Sequence, residues 1–239
     1  MMSSGAQKNQ TCLLEVIACT VEDAVRAQQG GANRLEIISQ FNVGGLTPSL
    51  DLVREIKAKV SVPLRVMLRE SEGYGVSGEE ETEKLCAVAR QLNEIRVDGI
   101  VLGFLKNGEI DFGLTERILS CAPDLKATFH HAFEDSTDKF FVIEKLKRLP
   151  QVDRILAHGG QGRWVEKASR LEAYASRARP EIKILAGGGV NAEVIKLLKA
   201  TSSVREFHVG SAARENGEVQ TERVASLADA FNANQEGEL

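Results

Sequence analysis

The chain has 239 residues and a net charge of −4, with 43% hydrophobic and 27% charged residues, the balance of an ordinary globular protein. It carries no long basic run, which argues against nucleic acid or an anionic membrane surface as its main partner. No apolar stretch approaches the roughly 18 residues that a membrane helix needs.

The opening "MMSSGAQKNQ" is polar and lacks a basic-then-apolar export pattern, so residues 1–11 read as a loose tail. Residues 12–233 read as one domain and 234–239 as a second tail. The first apolar run, "LLEVIA" (13–18), carries Glu15 and is followed by Cys19. The second, "RLEII" (34–38), follows the turn "GGAN" and carries Glu36. "SLDLVREIKAKV" then has helical spacing, with Leu52, Val53, Ile56 and Val60 on one face. A proline leads into the third run, "LRVML" (64–68), which ends at Arg69. "EKLCAVARQL" is helical again through Leu85, Val88, Ala89 and Leu92.

The later runs are "GIVLG" (99–103), "LKATFH" (125–130), "RILAH" (154–158), "IKILAGGG" (182–189) and "EFHVGS" (206–211). Short apolar runs alternating with amphipathic segments, eight times over, predict a single-domain (β/α)8 TIM barrel. The competing architecture is a doubly wound open sheet, but no early G-x-G-x-x-G and no midway change of pattern supports it. The four cysteines, Cys12, Cys19, Cys86 and Cys121, show neither C-x-x-C nor zinc-ligand spacing. They read as reduced thiols of a cytoplasmic protein.

In such a barrel the working groups gather at strand C-termini and in the loops that follow. The candidate catalytic set is Glu15, Glu36, Arg69 and His130, with His158 and His208 as secondary candidates. A carboxylate inside an apolar run is costly unless paired. Glu15 and Glu36 therefore either pair with Arg34, Arg65 or Arg69 to satisfy the core, or act as acid/base or ligand groups. His131 follows His130, and alternation along extended chain would turn it away.

"LAGGGV" before "NAEVIKLLKA" puts Gly187, Gly188 and Gly189 after a strand and Asn191 at a helix start. That pattern suits either a tight turn or an anion site. Gly210 and Ser211 lead out of the last strand in the same way, and "AHGGQG" (157–162) is a third glycine-rich turn. Arg69 and Arg214 are the charge partners such an anion would have.

The ordered set "GGANRLEI", "GGLTPS", "VMLR", "TFHHAFE", "VDRILAHGG" and "AGGGV" resembles the CutC copper-homeostasis family, a group of cytoplasmic TIM barrels, along nearly the whole chain. The resemblance implies copper tolerance or trafficking, copper as a bound ion and a homo-oligomeric state. It also shows departures. The family's sulfur positions on the first two strands are Ile17 and Ile38 here, which leaves Cys19 as the one nearby thiol, with Met67 as a thioether whose facing the sequence does not fix. A second arginine after the third strand is Ser71, and an arginine in the fifth-strand motif is His131. Soft monovalent copper prefers sulfur ligands, so direct thiolate copper binding is poorly served. Three functions follow: copper homeostasis as the family implies; a lyase or isomerase acting on a small phosphorylated or carboxylated metabolite; and a non-catalytic scaffold or regulatory barrel.

Overall fold

The computed structural model describes residues 12–232, so the expected tails at 1–11 and 234–239, and residue 233, lie outside the described residues. Eight parallel strands close a barrel: β1 (Leu13–Ala18), β2 (Arg34–Ile37), β3 (Leu64–Met67), β4 (Gly99–Leu102), β5 (Lys126–Phe129), β6 (Val152–Ala157), β7 (Lys183–Ala186) and β8 (Glu206–Val209). Each strand neighbours the next in sequence, and β1 closes the ring against β8. This is the expected TIM barrel.

Helices wrap the outside: α1 (Val21–Gln29), α2 (Leu50–Lys59), α3 (Gly78–Ile95), α4 (Phe112–Ser120), α5 (Ala132–Asp135), α6 (Lys139–Leu146), α7 (Trp164–Ala178), α8 (Ala192–Thr201) and α9 (Thr221–Asn232). Side-chain oxygens start several of them. Thr20 accepts from Asp23 N, Ser49 from Leu52 N, and Asn191 from Val194 N, satisfying amide groups that a helix start leaves open. Val53 and Ile56 of α2, and Leu85, Ala89 and Leu92 of α3, face the barrel and are buried; Leu52, Val60 and Val88 are half-buried at the edges of those faces.

Strand alternation sorts the side chains into two layers. Leu14, Val16, Leu35, Ile37, Leu64 and Val66 belong to the large core between sheet and helices. Ile38, Met67 and Val101 form a separate small cluster with Ile17 and Cys19, and these lie on the alternate, inward face. Glu15, Arg34, Glu36, Arg65 and Arg69 share the inward parity and are all buried. The barrel interior is therefore largely ionic rather than filled with the branched apolar layers common in this architecture.

At the N-terminal end those charges are closed on one another. Arg65 Nε meets Asp98 at 2.7 Å and its Nη2 meets Asp153 at 2.9 Å. Arg154 pairs with Glu206 at 2.6 Å and also with Asp153, while Lys183 reaches Glu206 at 3.1 Å. Gly99 makes room for this. A Cβ there would lie 2.3 Å from Lys126 O and 2.6 Å from Arg65 Nη1, so only glycine lets the Arg65 guanidinium cross.

The C-terminal end carries the longer connections. Phe41–Val43 forms a 3₁₀ turn after β2. Two hairpins, Leu105–Lys106 with Glu109–Ile110 and Arg214–Glu215 with Glu218–Val219, follow β4 and β8. Neither hairpin nor the short α5 has a periodic signal in the sequence.

Candidate functional site

A cavity of about 200 Å³ opens at this end of the barrel. Its wall includes Glu36, Arg69, Tyr74, His130, His131 and His208, with Gly188, Gly189, Gly210 and Ser211 on the glycine-rich side. Ile17, Ile38 and Met67 supply apolar surface.

Parallel register assembles the floor. Glu15 pairs in register with His208 across β1 and β8, and Ile17 with Glu36 across β1 and β2. Two inward steps along neighbouring strands thus bring Glu15, His208 and Glu36 together, with ligand-capable atoms all within 4.8 Å of one another. Glu15 Oε2 accepts from Arg34 Nε at 2.5 Å, and Oε1 lies 2.8 Å from His208 Nδ1. His208 Nε2 stands 3.4 Å from Glu36 Oε2, and Glu36 Oε1 has no partner.

These contacts set the protonation states. Burial alone would raise the Glu15 pKa, but Arg34 and His208 overcome it and hold this carboxyl well below the usual range. Glu15 is therefore ionised, so His208 Nδ1 must carry hydrogen and donate to it. For Glu36, burial dominates, His208, Arg34 and Arg69 oppose it, Glu15 reinforces it, and the pKa is pushed up to about 7. The His208 pKa is raised, because Glu36 and Glu15 outweigh the burial that would lower it.

His130 is buried at the end of β5, and its pKa falls to about 3 through burial, with Arg69 and His131 adding to the shift. It is a neutral imidazole. Its Nδ1 accepts from Ala132 N at 3.2 Å, so its hydrogen sits on Nε2, which has no protein partner. His131 does not turn away as alternation suggests. It already has helical backbone, φ −57° and ψ −11°, so the two-residue period of a strand no longer applies, and it lines the cavity.

Arg69 is 7% exposed. Its backbone is clamped by Thr47, whose N and Oγ1 both donate to Arg69 O while Oγ1 accepts from Arg69 N; this explains the "GGLTPS" stretch as a brace. The guanidinium donates from Nη2 to Val43 O at 2.5 Å and lies over Tyr74 at 5.6 Å. Its Nε is unpartnered, and no carboxylate among the described residues lies at ion-pair distance from it.

Several candidates take other positions. Arg214, expected as a second charge partner, is committed elsewhere: it pairs with Asp23 at 2.8 Å, donates to Ile17 O and stacks on Phe41 at 4.7 Å. Asn191 is exposed and caps α8 instead of lining the cavity. Gly187 packs behind the wall, where a Cβ would lie 2.6 Å from Leu156 Cδ1. His158 stands behind Gly188, its Nδ1 accepting from Gly160 N, with its ring 5.5 Å from that of His131. Glu134, unremarked in the sequence, ties this turn down by accepting from His158 N and Gly159 N. Tyr74 and Phe41 also reach the cavity from loops whose paths no local pattern foretells.

A thiolate copper(I) site does not fit this mouth. Cys19 is the cysteine nearest to it, packed with Ile38 and Met67. Burial raises its pKa, with Asp23 and Glu36 adding to that effect against Arg214, so the thiol stays protonated. Its sulfur faces Arg214 Nη2 at 3.6 Å, and Ile17 and Ile38 occupy the cavity wall.

A family model described as the CutC family matches residues 12–213. A CutC family protein from Xylella fastidiosa is 34% identical over 199 residues, covering 83% of this chain and 74% of that protein. A human copper homeostasis protein cutC homolog is 31% identical over 207 residues, 86% of this chain and 76% of its own length. The crystal structure of a CutC protein from Streptococcus agalactiae superposes with a TM-score of 0.77 at 28% identity, covering 84% of this chain and 99% of that one.

Proposed function

The chain belongs to the CutC family, and from that premise we propose that it serves copper homeostasis through a small carboxylated or phosphorylated molecule held at the barrel mouth, not through thiolate capture of copper(I). The observation that carries this reading is the buried guanidinium of Arg69, which has no carboxylate partner among the described residues. A buried charge without a counter-ion is costly. The cavity's other charges cancel: Arg34 balances Glu15, the facing pair Glu36 and His208 can balance each other, and His130 and His131 are neutral. One positive charge is left over, which an anionic ligand would neutralise.

The glycine-rich wall at Gly188, Gly189, Gly210 and Ser211 lets such a ligand lie against main chain. Glu36 Oε1 and His130 Nε2, both without protein partners, favour a lyase or isomerase reading in which these groups exchange a proton or donate a hydrogen bond to the ligand. No helix among the described residues is long and apolar enough to cross a membrane. The four free cysteines support a cytoplasmic setting. Phe140, Phe141 and Val165, exposed on adjacent outer helices, are the surface a homo-oligomer would use.

The test is a thermal-shift panel of small carboxylates and sugar phosphates on metal-free protein. At least one should raise the melting temperature, and Arg69→Met should abolish that rise. A panel with no stabilising anion sinks the reading. A ligand that binds but is returned unchanged leaves a binding or regulatory barrel in place of an enzyme.

A further inference from the structure

We propose that Glu36 and His208 form a binding site for a borderline divalent transition cation, with Glu15 as the outer carboxylate that orients the imidazole. The site shares the cavity of the preceding reading but does not require an anion to be bound.

The argument is geometric. His208 Nδ1 donates to Glu15 at 2.8 Å, which leaves Nε2 as the nitrogen facing the cavity side. A histidine that ligates a metal characteristically donates its other ring N–H to a carboxylate in this way. Glu15 is itself locked by Arg34 at 2.5 Å, so the outer partner is rigid.

The facing pair fits a shared ion better than a hydrogen bond. His208 Nε2 and Glu36 Oε2 are 3.4 Å apart, whereas a charge-assisted N–H···O bond is about 2.7–2.9 Å. Two donors each about 2.05 Å from a tetrahedral ion lie roughly 3.3 Å from one another. Glu36 Oε1, in a residue only 2% exposed, is left without any partner. An unsatisfied buried carboxylate oxygen is expensive, and a cation held by Glu36 would remove that cost. The remaining coordination positions open toward the cavity lined by both residues, where water or a ligand could fill them.

The donor set selects the metal. One imidazole and one carboxylate suit zinc, manganese or copper(II), whereas copper(I) calls for sulfur. The position that offers no thiolate site therefore offers a nitrogen–oxygen one.

The experiment titrates Zn²⁺ and Cu²⁺ into chelator-treated full-length protein. Calorimetry reads the stoichiometry, and electron paramagnetic resonance reads the copper(II) ligands. One equivalent should bind, with splitting from a single imidazole nitrogen. Glu36→Gln, close to isosteric, and His208→Gln should each lose that equivalent. Glu15→Gln should weaken it about 10–100-fold. Cys19→Ser should leave it unchanged, and running the titration in buffer free of carboxylates and phosphates separates this site from the anion reading. Binding by Glu36→Gln equal to wild type, loss in Cys19→Ser, or a copper(II) spectrum without nitrogen splitting overturns the proposal.

Discussion

Arg65 and Arg69 stand four residues apart on one strand and its exit, both inward and both buried, yet they serve opposite ends of the barrel. At the base, Arg65 is gripped by Asp98 and Asp153 within 3 Å. At the mouth, Arg69 meets one backbone carbonyl and the face of a tyrosine. At the base every charge has a counter-ion, although Arg65 Nη1 and Asp153 Oδ1 keep no hydrogen-bond partner. At the mouth Arg69 has no counter-ion, and Arg69 Nε, Glu36 Oε1, His130 Nε2 and His131 Nδ1, unsatisfied as well, belong to residues that line the cavity. Polar groups left open in a buried wall point to something that fills them.

The largest effect that separates the two ends is acid unfolding through the mouth. His130 and His131 each have a folded-state pKa of about 3 against an ordinary value of 6.5. Between those values the unfolded chain binds more protons, so stability rises with pH. Their contribution is complete above about pH 6.5 and is lost as pH falls toward 3. Denaturant midpoints measured across that range should fall on acidification, and the fall should be shallower in His130→Gln. A flat profile would mean that the imidazoles are hydrated, and the mouth open, in solution.

Next comes the paired substitution. Arg65→Met leaves Asp98 without its cation and Asp153 with Arg154 alone; both carboxylates are part-exposed, so the loss should be about 1.5–3 kcal/mol, below that for a fully buried pair. Arg69→Met removes a buried charge that lacks a counter-ion, so it should leave stability intact or raise it by about 1–4 kcal/mol, while abolishing anion-induced stabilisation. Equal losses at both sites, read from urea denaturation, would erase the distinction between base and mouth. Gly188→Val lies between them. Gly188 has φ +74°, and an added Cβ would lie 2.8 Å from His158 Cβ. The strain should cost roughly 1–3 kcal/mol, and the branched side chain should block the cavity to the ligands that stabilise the native protein. Unchanged ligand binding in that variant would remove the glycine wall from the site.

The sequence shows the strands because each apolar run is short, branched and followed by an amphipathic helix. It shows Glu15 and Glu36 because a carboxylate between Leu and Val is conspicuous. It does not show that His208 lies between them, since that depends on β8 closing against β1 across 193 positions, a register that no local pattern carries. His208 is accordingly only a secondary candidate in the sequence, although it sits at the centre of the cluster. Arg214 misleads for the same reason: its partner Asp23 lies 191 residues away. Tyr74 and Phe41 are hidden because loops have no period. His131 misleads because a strand rule is applied one residue past the strand.

The smallest effect tests what the two isoleucines mean. Cys19→Ser exchanges one half-buried thiol for a hydroxyl of similar shape, and Arg214 can donate to either atom, so stability should move by less than about 1 kcal/mol. A copper(I) titration against a competing chelator should give the same affinity for this variant as for wild type. Ile17 and Ile38 offer no second thiol beside Cys19, whose cluster adds only the Met67 thioether, and a single protonated thiol makes a poor ligand for a soft monovalent ion. Any residual copper(I) bound by both proteins would then belong to Cys12, Cys86 or Cys121, away from the cavity wall. A tenfold drop on removing Cys19 would instead mean that the thiol and the Met67 thioether, which share one cluster, hold the ion together. The contrast between a closed base and an anion-seeking mouth would then have to be redrawn around sulfur.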